Sequence, residues 1–379
     1  MSRRLVRIAL ALAAPVLALL VLRAFFCDVY RVDSGSMEPT LHGDPEDGEL
    51  VLVRYAREPR LERFDLVVLR RPAERAPFIK RVVGLPGERV QIVGGDLLVN
   101  GERLPASAPR PAPIPIFDAA RGSFADEFQF SDELWSETAD GWLLENPSRD
   151  RLEGRALACY RHNVTDGWLR RDGSLVLGQL DAGELVLDCD VRLGRPGGVL
   201  SWSITEGGDR FEARYESGGV VLLHTGQGPE VVLAEGDLML GLRSWHRARL
   251  ANIDGVVSFE LGELRLEAPF LSDSVPLVRN DPGYRQLLPR ACLGGGAVSA
   301  TFRDVRLSRD LHYTELGAHG LGEPIALGPD EVFVLGDNSA DSEDSREWGA
   351  VRLADVIGFA EAVVWPPASL RRLVPALSR

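Results

Sequence analysis

The sequence is poor in lysine. Of its 43 basic residues, 42 are arginines and one is a lysine, Lys80. Walker A loops and Ser-x-x-Lys sites both need lysine in a fixed setting, and Pro77 and Arg81 exclude both settings around Lys80. Arginine stays protonated, whereas a desolvated lysine can become a neutral base. Three explanations for the single lysine are therefore open: a catalytic role, a buried ion pair, or chance in an arginine-rich sequence.

Metal-binding spacings are also missing. The four cysteines, at positions 27, 159, 189 and 292, include no C-x-x-C pair, and the six histidines form no HExxH motif. The sequence therefore predicts neither a metal site nor a cofactor. One disulfide is expected among Cys159, Cys189 and Cys292, with one thiol left over, but the sequence does not select the pair.

Cationic surface is scarce as well. The net charge is −13, and no extended basic run follows residue 7. A nucleic-acid partner, which would need a basic face, is therefore not expected. The apolar content of 45% and the charged content of 26% indicate a largely globular chain and exclude a disordered tail, a collagen and a polytopic transporter.

One long apolar segment is present, at the N-terminus. Residues 8–22 carry no charge, three arginines precede them, and apolar character resumes after Arg23 as far as Cys27. This pattern predicts a transmembrane anchor within residues 1–28, with the basic flank inside and the chain after residue 30 outside. A cleavable signal peptide is the alternative, but the bulky residues from Phe25 onward do not suit a cleavage site.

The rest of the chain contains regions with two different sequence patterns. Short β-type runs separated by Gly, Pro and Asp turns fill residues 29–104, and a Pro-rich linker then opens a region with many alternating runs. The pattern of short β-type runs resumes near residue 323. We therefore expect a mainly β protein: one domain in two parts, 29–104 and 323–379, interrupted at 105–322 by a linker and an inserted β-sandwich. The predicted strands are 30–32, 49–55, 64–69, 78–83, 89–93, 97–99, 184–193, 198–204, 210–215, 246–261, 297–307, 331–336 and 356–365.

Three segments of the two-part domain carry chemistry. Residues 34–41 place two serines around a glycine before a Pro-stiffened turn. Residues 78–88 place Lys80 on a predicted strand among apolar neighbours, where desolvation favours the neutral amine. Residues 336–346 form a loop dense in hydroxyl and carboxylate groups, which is typical of an exposed acidic loop or of a shell that orients a catalytic group.

In their order and spacing, these segments resemble signal peptidase I, the membrane-bound Ser/Lys peptidase family that removes signal peptides from exported proteins. The resemblance covers roughly residues 5–104 and 323–366. It implies that Ser36 is the nucleophile and Lys80 the general base. It further implies that the Ser34 hydroxyl forms the oxyanion hole with the Ser36 backbone N–H, and that Ser342 orients the lysine.

The same resemblance implies supporting roles for Asp337, Asp344 and Arg346 beneath the site. Two positions depart from the family pattern: Ser339 stands where arginine is frequent, and Phe359 stands where a basic residue often follows glycine. Substrate detail and membrane contact depend on these positions. The implied substrates are secretory preproteins with small residues at the first and third positions before the cut, and the implied location is a bacterial-type cytoplasmic membrane.

The inserted region is similar to laminin-G and concanavalin-A-like sandwiches at Ser244–Leu250 and Ala297–Leu307. Many such domains bind glycans and others are spacers, so the sequence does not identify a ligand.

Two alternative interpretations concern the function of the whole chain. One is a membrane-tethered binding protein that uses the sandwich on an inactive peptidase frame. The other is a self-cleaving repressor of the SOS type, which would need a DNA-binding helix-turn-helix where the anchor lies.

Overall fold

The computed structural model describes residues 26–56, 58–71, 76–105, 108, 110–147, 154–170, 172–216, 218–270 and 290–373. Contacts divide the chain into two compact units: unit 1 is Met1–Pro111 with Tyr313–Arg379, and unit 2 is Ala112–His312. The sequence suggested boundaries at 105 and 322. The segment from Tyr313 to residue 322 lies with unit 1, where Tyr313 and Thr314 hydrogen-bond to unit 1 residues.

The elements follow in chain order. Unit 1 begins with β1 (Cys27–Arg31), β2 (Leu50–Tyr55), β3 (Leu66–Leu69), β4 (Phe78–Gly84), β5 (Arg89–Val93), β6 (Asp96–Val99) and β7 (Glu102–Arg103). Unit 2 contains β8 (Ile114–Asp118), α1 (Phe124–Glu127), β9 (Phe128–Phe130), β10 (Trp135–Thr138), β11 (Gly141–Glu145), β12 (Ala156–Tyr160), β13 (Trp168–Leu169), β14 (Leu175–Val176), β15 (Leu185–Leu193), β16 (Val199–Glu206), β17 (Asp209–Glu216), β18 (Gly219–Thr225), β19 (Val231–Asp237), β20 (Trp245–Ile253), β21 (Val256–Leu261), β22 (Leu264–Pro269), β23 (Ala291–Gly296) and β24 (Ser299–Arg309). Unit 1 resumes with β25 (Ile325–Ala326), β26 (Glu331–Leu335), α2 (Ser345–Trp348), β27 (Val351–Arg352), β28 (Val356–Trp365) and β29 (Arg371–Arg372).

The main sheet of unit 1 is antiparallel, in the order β1-β2-β28-β3-β4-β26-β27, with β29 added to β28. Its apolar side chains are buried on both faces: Val51, Val53, Leu66 and Val68 enter one cluster, and Val67, Leu69, Val82, Val332 and Val334 enter another. This alternation is the period-two pattern of a strand packed on both sides. The expectation of a mainly β fold is confirmed. A smaller sheet joins β25, β5, β6 and β7.

Strand pairing positions the polar loop. In β26, Val334 lies opposite Val82 and Leu335 lies opposite Arg81 of β4. Because β26 ends there, the loop that follows it starts beside Lys80. The turn after β1 that contains Ser36 is attached to the core of unit 1, because the side chains of Met37 and Leu41 are buried there.

Unit 2 consists of two antiparallel sheets that share one apolar core. One sheet follows the order β10-β11-β24-β15-β20-β21-β22, with β8 on β24, and the other follows β19-β18-β17-β16-β23-β12-β9. The Trp202 ring of the second sheet packs 5.2 Å from the Phe259 ring of the first. The alternating run 246–261 forms two strands: Asp254 and Gly255, both at positive φ, form a turn between β20 and β21. Asp-Gly favours such hairpin turns.

Cys159 and Cys292 form a disulfide between neighbouring strands β12 and β23, and Cys189 is a buried free thiol. This pair is one of those the sequence left open. At the N-terminus, residues 1–25 of the predicted anchor lie outside the described residues. Cys27 and Asp28, which the anchor prediction included, pair with Arg54 and Val53 as part of β1. From Phe26 onward, the described helices are all too short or too polar to cross a bilayer.

Candidate active site

Lys80 and two serines meet at one point of unit 1. Lys80 extends from β4, and its Nζ donates hydrogen bonds to Ser36 Oγ at 2.7 Å and to Ser342 Oγ at 3.2 Å. The Lys80 residue is 1% exposed. The structure thus brings together three residues that the sequence analysis singled out, from three separate segments of the chain.

Burial changes the chemistry of the lysine. Desolvation lowers the pKa of Lys80 from 10.5 to about 8, while the carboxylates of Asp344 and Asp337 act in the opposite direction. Desolvation is the largest effect because the ammonium ion loses its water shell in the apolar sheet. A substantial fraction of Lys80 is therefore a neutral amine at mildly alkaline pH, which is the form able to accept a proton.

Ser36 lies in the 3-10 turn Gly35–Met37. Buried Met37 attaches this turn to the core on one side. On the other side Asn338 donates from its backbone N–H to Ser36 O at 3.1 Å and from its side-chain amide to Gly35 O at 3.0 Å. Asn338 is a positioning contact that the sequence analysis did not single out, because only the fold brings residue 338 next to residue 36.

Ser34 lies at the solvent side of the same turn. Its Oγ is 3.4 Å from Ser36 Oγ, and the residue is exposed. A hydroxyl at this position can turn toward an oxygen that is bound beside Ser36. The structure therefore places Ser34 within reach of the nucleophile candidate, on the side open to a ligand.

Gly336 opens the loop after β26 at a close approach. A Cβ on this residue would lie 2.1 Å from Ser342 Oγ and 2.5 Å from Ser36 O. Both distances are far below van der Waals contact. Glycine is therefore the residue that lets Ser342 and the Ser36 turn approach each other.

Arg81 supports the opposite face of β4. Successive side chains of a strand point to opposite faces, so Arg81 points away from Lys80. Its guanidinium donates two hydrogen bonds to the Asp337 carboxylate, at 2.8 and 2.5 Å, and another to Phe64 O at 2.9 Å. Thr40 Oγ1 donates to the same carboxylate. Asp337 was expected as a support, whereas Arg81 and Thr40 were missed, since only the fold brings residues 40 and 81 next to residue 337.

Asp344 and Arg346 form a second buried ion pair under the loop. Arg346 donates from Nε to Asp344 Oδ1 at 2.9 Å and from Nη2 to Asp344 Oδ2 at 2.8 Å. Asp344 Oδ2 also accepts from the Gly336 N–H at 2.9 Å. Both side chains are at most 2% exposed. The pair therefore fixes the two ends of the loop that carries Ser342.

The two positions that depart from the family pattern have different surroundings. Ser339 is buried, and its Oγ accepts from Arg346 Nη1 at 2.8 Å. The Phe359 ring lies 4.7 Å from the guanidinium carbon of Arg54, a cation–π contact at the surface. Ser339 thus belongs to the support of the loop, whereas Phe359 does not contact the described catalytic candidates.

The family model for signal peptidase, peptidase S26, matches residues 5–123 and 301–365. Signal peptidase I of Bacillus licheniformis is 40% identical over 95 residues, which are 24% of this chain and 47% of that protein. Over these segments the chain is similar to signal peptidase I. Signal peptidase I of Pseudomonas aeruginosa is 41% identical over 105 residues, which are 23% of this chain and 36% of that protein.

The chain spans about half or less of the length of these signal peptidases. Among solved structures, a carbohydrate-binding module of Bacillus subtilis is 9% identical, with a TM-score of 0.33. It covers 48% of this chain and 95% of its own. A likeness at that level assigns neither a fold family nor a ligand to unit 2.

Proposed function

We propose that this protein is a membrane-anchored serine endopeptidase that removes N-terminal signal peptides from exported preproteins with a Ser36/Lys80 dyad. The observation that carries the proposal is the 2.7 Å contact between Lys80 Nζ and Ser36 Oγ, made by a lysine that is 1% exposed. The signal peptidase relatives support this class of reaction. The dyad, the anchor and the substrates belong to the proposal.

The first half of the reaction forms an acyl-enzyme. Neutral Lys80 Nζ accepts the Ser36 hydroxyl proton while Ser36 Oγ bonds to the scissile carbonyl carbon, and the carbonyl oxygen becomes an oxyanion. The Ser36 backbone N–H and the Ser34 hydroxyl donate to that oxyanion, each contributing about 3 kcal/mol to transition-state stabilisation. When the tetrahedral intermediate collapses, the C–N bond breaks and the Lys80 ammonium returns its proton to the leaving amine.

The second half releases the signal peptide. Lys80, neutral again, accepts a proton from a water molecule whose oxygen bonds to the acyl carbon. The ester bond to Ser36 Oγ then breaks, and the serine regains its proton from Lys80. Ser342 keeps the amine directed at Ser36 through both steps, because its Oγ accepts from the same Nζ at 3.2 Å.

In this proposal, the enzyme and its substrate are both held at the membrane surface. An apolar anchor N-terminal to β1 would hold unit 1 at the membrane, where a signal peptide's apolar core also lies. Attachment to a common surface raises the effective concentration of enzyme and substrate. Preproteins with small residues at the first and third positions before the cut are the proposed substrates.

The decisive experiment is cleavage of a precursor with an Ala-x-Ala site by the full-length protein in detergent. Wild type is compared with Ser36→Ala and Lys80→Met, and with Ser258→Ala as a control serine in unit 2. We expect cleavage by wild type and by the control, and loss of cleavage in both dyad variants. Folded wild type that leaves the precursor intact would refute the peptidase proposal. Full activity of Lys80→Met would refute the dyad.

A further inference from the structure

The chain that leaves unit 2 closes over the buried Arg346. We call residues 314–319 the strap. The N–H groups of Ala318 and His319 both donate to Arg346 O, at 2.8 and 2.9 Å. Gly317 has a φ of +131°, and a Cβ on it would lie 2.7 Å from Arg346 Cβ. A side chain at position 317 is therefore excluded, and the strap lies directly on Arg346.

Thr314, at the start of the strap, uses all its polar groups on two residues of the loop. Its N–H donates to Ser339 Oγ at 2.8 Å, and its Oγ1 donates to Ser339 O at 3.2 Å. Arg346 Nη1 donates to Thr314 O at 2.9 Å and to Thr314 Oγ1 at 2.5 Å. Thr314 is 1% exposed and Ser339 is 7% exposed. Water therefore cannot replace these hydrogen bonds without an opening of the loop.

The two residues that Thr314 contacts, Ser339 and Arg346, belong to the loop that carries Ser342. Arg346 Nη2 donates to Ser339 O at 2.7 Å and to Ser342 O at 3.4 Å. One guanidinium thus holds the backbone carbonyls of Ser339 and Ser342, and Thr314 holds that guanidinium and Ser339 in place. Ser342 Oγ in turn accepts from Lys80 Nζ.

We infer that Thr314 is a positioning residue, which fixes the loop that presents Ser342 to Lys80 through Ser339 and Arg346. The inference rests on the proposed function, since its catalytic consequence is the orientation of the Lys80 amine toward Ser36. It assigns part of the support of the site to the second residue after the inserted unit. A small misplacement of a catalytic group is enough to lower a rate by one to two orders of magnitude.

The strap has other attachments, so the Thr314 hydroxyl can be tested alone. Tyr313 N–H donates to Gly95 O at 3.0 Å, and Glu315 Oε1 accepts from the Gly94 N–H at 2.5 Å. These contacts do not involve the Thr314 side chain. Thr314→Val keeps the shape of the residue and removes its hydroxyl, and we expect this variant to fold.

The experiment compares wild type, Thr314→Val and Thr314→Ser in precursor cleavage across pH. We expect Thr314→Val to lower kcat by between about 10-fold and 100-fold with KM nearly unchanged. We expect its acid limb to move to higher pH as water reaches Lys80, and Thr314→Ser to restore both. The control is Thr165→Val in unit 2, which loses a comparable buried hydroxyl that accepts from the Gly178 N–H at 2.9 Å.

Hydrogen exchange separates this inference from the proposed function. Exchange of the Gly336 and Arg346 amides, which both donate to Asp344, is expected to be faster in Thr314→Val than in wild type. This readout needs no peptidase activity, so an inactive wild type would refute the proposed function and leave the exchange result to decide the inference. Unchanged kcat, pH profile and loop exchange in folded Thr314→Val would overturn it, as would a lower Tm with kcat unchanged.

Discussion

Lys80 Nζ and Ser36 Oγ lie 2.7 Å apart although 44 positions separate the two residues. The contact joins a central strand of the sheet to a short turn after β1. The polar side chains around it come from the loop after β26, which begins opposite Arg81. Pairing between β4 and β26 therefore decides that the amine, the hydroxyl and the acidic loop meet.

The rate of cleavage should depend on the protonation of Lys80. Because burial lowers the pKa of Lys80 to about 8, the neutral base accumulates as the pH rises through that value. We expect kcat/KM for an Ala-x-Ala precursor to increase with pH, with the acid limb centred near pH 8. The measurement is a pH profile of initial cleavage rates between pH 5 and pH 10.

Replacing Glu343 tests how a nearby charge shifts the pKa of Lys80. The exposed Glu343 carboxylate raises the pKa of Lys80, so Glu343→Gln should move the acid limb to lower pH. Glutamine keeps an oxygen to accept from Trp348 Nε1, as Glu343 does at 2.8 Å. A limb that stays in place or moves to higher pH in this variant would contradict the electrostatic argument.

Replacing Lys80 should stabilise the protein while it removes cleavage. A pKa of about 8 in the folded state against 10.5 in the unfolded state means that the buried ammonium costs about 3 kcal/mol at neutral pH. Lys80→Met removes this cost, less the two hydrogen bonds to serine hydroxyls. We expect a higher Tm of unit 1 at pH 7, measured by calorimetry.

The same shift predicts how stability depends on pH. Between about pH 8 and 10.5 the unfolded state binds more protons at Lys80 than the folded state, so the free energy of unfolding rises with pH across that window. This increment should be present in wild type and in Ser36→Ala, which keeps the lysine, and missing in Lys80→Met. An equal pH slope in all three would show that Lys80 is not desolvated.

Gly336→Ala should disable the site by steric conflict. Its Cβ would lie 2.1 Å from Ser342 Oγ, so either the loop or the Ser36 turn must move. We expect the cleavage rate to fall by at least about 100-fold. The control is Gly322→Ala, since a Cβ at Gly322 meets no atom within 4 Å. Activity of Gly336→Ala close to that of the control would contradict the close approach.

The Arg81–Asp337 pair should be far more sensitive than an exposed pair. Arg81→Lys keeps the charge but loses the two-pronged contact to Asp337 in a buried position, and we expect the free energy of unfolding to fall by about 2 kcal/mol. Arg352→Lys, at an exposed pair with Asp355, should leave the free energy of unfolding nearly unchanged. Urea denaturation measures both, and equal effects would argue against the buried support.

Local patterns in the sequence were sufficient for much of unit 1. The strand that carries Lys80 was predicted as 78–83 and is observed as Phe78–Gly84, because a run of apolar and β-branched residues favours a strand. The strand before the acidic loop was predicted as 331–336 and is observed as Glu331–Leu335. The exception in unit 2, the run 246–261, contains an Asp-Gly hairpin turn whose signal the alternating pattern obscured.

By itself the sequence determined that one lysine lies on an apolar strand, that two serines flank a glycine in a short turn, and that an acidic loop follows a buried strand. These are local properties of composition and spacing. The tertiary structure alone decided which groups support them: Asn338 under the Ser36 turn, Arg81 against Asp337, and Thr314 against Ser339 and Arg346. Such contacts join residues up to hundreds of positions apart, and only strand pairing and burial bring them within hydrogen-bond distance.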